Sequence, residues 1–154
     1  MATPVTEKKL KSPTKLPAVP PRAPRKRDSA SPGSGSNLTP LASALSVFDK
    51  AAKELGLNTQ ERLRILNTGR SLYFTLLKEA DPVLDVDRRD RLGYFLAIYE
   101  LGGRLVGSAP GWLRAPNSAA VFGGRPPLAR ILGGRMEDLL ATLTYLKDAY
   151  GGWA

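Results

Sequence analysis

The distribution of apolar bulk along the chain limits its fold more than any other feature. All 11 aromatic residues of the 154-residue chain lie after residue 40, whereas 8 of its 13 prolines lie at or before it. A segment so poor in large apolar groups cannot offset the entropy of ordering its backbone, about 1–2 kcal/mol per residue. Residues 1–38 are therefore expected to be a disordered tail, with the Ser/Gly run Ser29–Ser36 as a flexible hinge. The folded part should begin near residue 39.

Charge divides at the same place. Residues 1–40 carry eight bases (Lys8, Lys9, Lys11, Lys15, Arg22, Arg25, Lys26, Arg27) against two acids, or +6, while the rest carries 15 bases against 12 acids, or +3. Three readings of the basic tail stand: an arm that adds sequence-independent affinity for nucleic-acid phosphates, a solubilising leader, or a contact for another anionic surface. No apolar stretch follows the basic residues as in a signal peptide, and no run of 18 apolar residues exists. The expectation is a cytoplasmic protein with no membrane partner.

The chain has no His and no Cys. This removes the imidazole base, the thiolate nucleophile, the disulfide and the zinc finger. Carboxylates and Lys remain available for catalysis, but Asp87 and Asp90 lack a third ligand or a pocket. A non-enzymatic binding protein without cofactor or metal is expected.

The body reads as all-α. Thr39-Pro40 is an N-cap followed by proline at the first helical position. Leu41, Leu45, Phe48, Ala52 and Leu55 form one stripe, which Gly56 closes. Asn58 with Glu61 is a capping box, and Leu63 and Leu66 are the buried side of a second helix. After Asn67-Thr68-Gly69, a third helix over about 70–80 should turn Leu72, Leu76 and Leu77 inward and stop at Asp81-Pro82. The longest helix starts at Asp85–Asp87 and ends at Gly107; its alternating Asp and Arg residues suggest surface ion pairs.

Two short helices joined by a Gly-containing turn match a helix-turn-helix, or simply an αα corner. In the first case the third helix is the recognition helix: Arg70, Ser71, Tyr73 and Lys78 would approach DNA, while Arg62 and Arg64 would hold the backbone. Tyr73, Phe74 and Leu77 have a core reading as the alternative. Residues 108–154 are broken by Pro110, Pro116, Pro126 and Pro127 into short apolar anchors at Trp112-Leu113, Ala119–Phe122 and Leu128–Leu132. A final helix over about 135–150 should bury Met136, Leu139, Leu140, Leu143, Leu146 and Tyr150. Gly123-Gly124-Arg125 is too short for a phosphate loop.

The ordered set Trp112-Leu113, Pro116-Asn117, Gly123-Gly124-Arg125-Pro126-Pro127-Leu128 and the closing helix resembles the toxin-binding domain of Xre/MbcA/ParS-like antitoxins, over about residues 108–151. Arg70-Ser71-Leu72-Tyr73, Leu84, Asp87-Arg88 and Leu92 resemble the Xre-type helix-turn-helix half of that family. The resemblance divides the body into a helix-turn-helix half at 39–107 and a toxin-binding half at 108–154; the tail at 1–38 lies outside it. It implies an antitoxin of a type II system, pairing with a RES-domain toxin that consumes NAD⁺ or ADP-ribosylates a target, and binding its own promoter as a homodimer. The family places the toxin contact at the final helix and C-terminus, here Tyr145, Lys147, Tyr150, Gly151, Gly152 and Trp153, with Arg125 second in rank. Large aromatics at a glycine-flexible end suit such a contact. Packing of Tyr150 on its own domain is the alternative reading, as is turn stabilisation for Arg125. A protein-binding adaptor without DNA recognition is the alternative function.

Overall fold

Each helix is set by chemistry at its ends. The computed structural model describes residues 38–151, which contain seven helices: α1 (Pro40–Glu54), α2 (Thr59–Leu66), α3 (Arg70–Lys78), α4 (Val86–Val106), α5 (Ala109–Arg114), α6 (Pro127–Ile131) and α7 (Met136–Gly151). Among the described residues there is no strand, and no helix is long and apolar enough to cross a membrane. Thr39 Oγ1 accepts from the Ala42 amide at 3.2 Å. The Asn58–Glu61 capping box is complete, with both reciprocal bonds formed at 2.9 and 2.8 Å. Asp85 accepts from the Arg88 amide at 2.9 Å, and Gly107 closes α4 in the left-handed region at φ 80°.

α5 and α6 are helices where the sequence suggested only short apolar anchors between turns. Ser108 caps α5 by accepting from the Gly111 amide at 3.0 Å, and Pro127 opens α6. Both are too short for periodicity to show.

The core is one connected cluster running from Leu45 to Leu146. Phe48 and Phe95 are its fully buried centre, edge-on with centroids 5.0 Å apart. α4 is a shared wall, packed against α1 and α2 as well as α5 and α7. Trp112 sits so close to α4 that a Cβ at Gly102 would lie 3.1 Å from its ring. The expected division after residue 107 therefore does not separate two cores: the segments on either side share one.

Arg91 reinforces that union. It was expected among surface ion pairs, but it is buried. Its Nε donates to Asp87 at 2.9 Å, and its Nη1 donates to the carbonyls of Ile65 at 3.4 Å and Gly134 at 2.8 Å. One guanidinium thus ties the end of α2 to the turn before α7. Gly134 has φ 82°, and a Cβ there would lie 2.5 Å from Arg64 Cγ, so this turn is closely fitted against α2. Arg114 makes a second tie, donating to the Leu55 carbonyl.

Two inward assignments are corrected. Leu72 and Leu140 are each 41 % exposed. On α3 the interior is taken by Tyr73 and Leu76; on α7 it is taken by Leu139, Thr142, Leu143 and Leu146, with the Thr142 hydroxyl donating to the Asp138 carbonyl.

Candidate functional site

The chain between α2 and α3 reverses because Asn67 takes left-handed geometry at φ 54° and Gly69 precedes α3 without a side-chain cap. Arg70, Ser71 and Lys78 are exposed on α3, and the Arg70 guanidinium lies over the Phe74 ring at 5.4 Å. Arg64 is exposed and donates to the Leu132 carbonyl at 3.4 Å. Arg64, Asn67 and Arg70 share a shallow cavity of about 450 Å³, so the turn collects cationic and amide donors on one surface.

Tyr73 and Arg62 do not belong to that surface. Tyr73 is 0 % exposed, and its hydroxyl donates to Asp49 Oδ1 at 2.7 Å. Arg62 donates to the same oxygen at 3.3 Å and to the Leu57 carbonyl at 3.1 Å. Neither side chain is free to reach DNA; both join α1 to the helices after it. The spacing of Tyr73 to Leu76 and Leu77 is compatible with an inward position, but Leu72 stands in the same relation to Leu76, so spacing alone does not choose between them.

Asp49, which the sequence reading did not single out, is the centre of this joint, with Lys53 Nζ 2.9 Å from its other oxygen. Burial opposes its ionisation, but the Tyr73 hydroxyl, Lys53 and Arg62 outweigh it and hold the carboxyl below its ordinary 3.8. Burial and the Asp49 acceptor push the Tyr73 hydroxyl well above the ordinary phenol range. A carboxyl depressed by folding contributes stability that is present above its unfolded pKa and lost as pH falls through its folded one. With no His in the chain, the thermal midpoint should be flat between about pH 5 and 8 and fall only below about pH 4. A midpoint already falling between pH 7 and 5 would contradict this assignment.

The second surface is built by the Trp-Leu, Pro-Asn and Gly-Gly-Arg segments. Asn117 closes the following loop: its amide donates to the Arg125 carbonyl at 3.3 Å, its carbonyl accepts from Gly124 at 2.9 Å, and its Oδ1 accepts from Ala119 at 2.9 Å. The closed loop presents Phe122 edge-on to Trp112 and to Tyr145, at 5.9 and 5.1 Å, while Trp112 stacks on Tyr145 at 6.3 Å. Tyr145, expected at a partner contact, is half-buried and part of the fastening that holds α7 in place.

Fastened this way, α7 leaves one side open. Leu140, Thr144, Lys147 and Asp148 are exposed at helical spacing, and Val121, Leu140, Ala141, Thr144, Tyr145 and Asp148 line a groove of about 540 Å³. Tyr150 is half-buried near the helix end. Arg125 faces a different cavity, with Arg130 and Arg135. Gly152, Trp153 and the basic residues Lys8, Lys9, Lys11, Lys15, Arg22, Arg25, Lys26 and Arg27 lie outside the described residues.

Among the described residues no group of three or more acidic side chains is placed to hold a metal ion. The sequence matches no protein-family model and shows significant similarity to no curated protein.

Proposed function

We propose that this chain is a non-enzymatic antitoxin that binds and blocks a RES-domain toxin and, as a homodimer, binds promoter DNA to regulate its own expression. The observation that carries the reading is the α7 groove. The same Trp-Leu, Pro-Asn and Gly-Gly-Arg segments that resemble the antitoxin family fasten α7, and they leave Leu140 and the edge of Tyr145 open beside Thr144 and Asp148. An apolar strip with a polar rim on a rigid helix suits a protein partner.

In the DNA half of the proposal, α2 and α3 act as a helix-turn-helix. Arg70 and Ser71 open the recognition helix, Lys78 lies further along it, and Arg64 grips phosphate. The basic residues before residue 39 add affinity that does not depend on sequence. The withdrawal of Tyr73 and Arg62 into the interior favours a second reading, an adaptor that binds its protein partner without reading DNA.

Co-expression with the product of the adjacent gene tests both. The full chain should co-purify with that protein, and Leu140→Asp should weaken the complex by at least about tenfold while the fold survives, because the changed side chain is solvent-facing. The double change Arg70→Ala, Ser71→Ala should keep the complex but abolish the operator gel shift. Retention of the complex by Leu140→Asp would show that the groove is not the partner contact. An unaltered operator shift in the double variant would leave the adaptor reading.

A further inference from the structure

Three arginines and one acid line a single cavity where the 117–125 loop, α6 and the first turn of α7 come together. Arg125, Arg130, Arg135 and Asp138 line a cavity of about 420 Å³, with Val121 and Phe122 in its wall. Arg130 is fixed there: its Nε donates to Asp138 Oδ1 at 2.9 Å and its Nη1 to the Val121 carbonyl, while its side chain stays 34 % exposed. Arg135 reaches Glu137 only loosely, at 3.6 Å with both side chains exposed. Arg125 is exposed and pairs with no acid among the described residues. Three cations stand against one carboxylate in the lining, with Glu137 beside Arg135 just outside it, so the cleft is net cationic.

We infer that this cleft binds the terminal phosphate of a small molecule, such as a nucleoside diphosphate or inorganic pyrophosphate. Guanidinium forks match phosphate oxygens two at a time. A terminal phosphate carries about −1.5 to −2 near neutral pH and can engage more than one of these arginines, whereas a protein carboxylate carries a single charge. The cavity falls within the range of small-molecule sites, about 300–1,000 Å³. Its arginines converge on a concavity between three elements rather than forming a row along one ridge, as a duplex backbone would need. Arg130 is pre-oriented by Asp138 and the Val121 carbonyl, whereas Arg125 and Arg135 are left to close on the ligand. The inference is independent of the antitoxin reading.

Isotope-labelled full-length protein should be titrated with pyrophosphate, ADP and adenosine. The amides of Gly123, Gly124 and Gly133 should shift saturably with pyrophosphate and ADP but not with adenosine. Tighter binding of ADP identifies a nucleotide as the source, and equal binding identifies the phosphate alone. The double variant Arg125→Gln, Arg135→Gln changes exposed side chains only, so the spectrum should stay dispersed while affinity falls at least about tenfold. Absence of saturable shifts at those glycines would overturn the inference. So would unchanged affinity in the double variant, which would place the phosphate on the basic residues preceding residue 38.

Discussion

Replacing Arg91 with Ala should lower the unfolding free energy by about 3 kcal/mol, the largest effect of any single charged residue in the fold. Most of the loss comes from the buried carbonyl of Ile65 and the half-buried carbonyl of Gly134, which would both lose their donor. The ion pair itself counts for less, because the Asp87 side chain is 43 % exposed and water can take over its solvation. Arg91→Lys should recover only part of the loss, since an ammonium cannot serve three acceptors in the plane of a guanidinium fork. Urea unfolding monitored by circular dichroism reads the difference directly. A loss below about 1 kcal/mol would mean that the tie between α2 and the turn before α7 is incidental.

Trp112→Ala should cost about 3–5 kcal/mol. The indole is 8 % exposed, fills the space that Gly102 leaves on α4, and stacks against Tyr145. Against a typical total of about 5–15 kcal/mol, that loss brings the chain near its unfolding threshold. The more informative variant is Trp112→Phe, which keeps an aromatic face for Tyr145 and should retain most of the stability. If α7 is a docking helix held by this stack, partner affinity should fall in the order wild type, Trp112→Phe, Trp112→Ala. Equal affinity in all three, measured at a temperature where each is folded, would separate the stack from docking.

Helix starts were legible in the sequence because capping is local chemistry. Thr39-Pro40, Asn58 with Glu61, and Asp85 each act within three residues of themselves. The left-handed stop at Gly107 was legible for the same reason. Which face of a short helix turns inward was less legible. α3 has only nine residues, with Leu72, Tyr73, Phe74, Leu76 and Leu77 spread around it, so hydrophobicity alone could not choose Tyr73 over Leu72. Asp49 made the choice by offering the buried hydroxyl an acceptor from another helix.

The interior position of Arg91 was illegible for a related reason. Its partners Ile65 and Gly134 are backbone carbonyls, which no residue type announces, and they lie 26 and 43 positions away. In the candidate sites, exposed Arg70, Ser71 and Lys78 were legible as the polar side of α3. The open position of Leu140 was not, because it depends on Leu139 and Leu143 being the pair that meets the core. The Trp-Leu and Gly-Gly-Arg segments were visible as a pattern. Their physical role in fastening α7 through Trp112, Phe122 and Tyr145 emerged only from the packing.

Consumption of NAD⁺ by the purified product of the adjacent gene, titrated with this full-length chain, tests the central proposal most directly. NAD⁺ loss should stop at a fixed stoichiometry, Leu140→Asp should shift the titration to at least about tenfold higher concentration, and the chain alone should consume none. NAD⁺ loss that continues unchanged at saturating concentrations of the folded chain would contradict it.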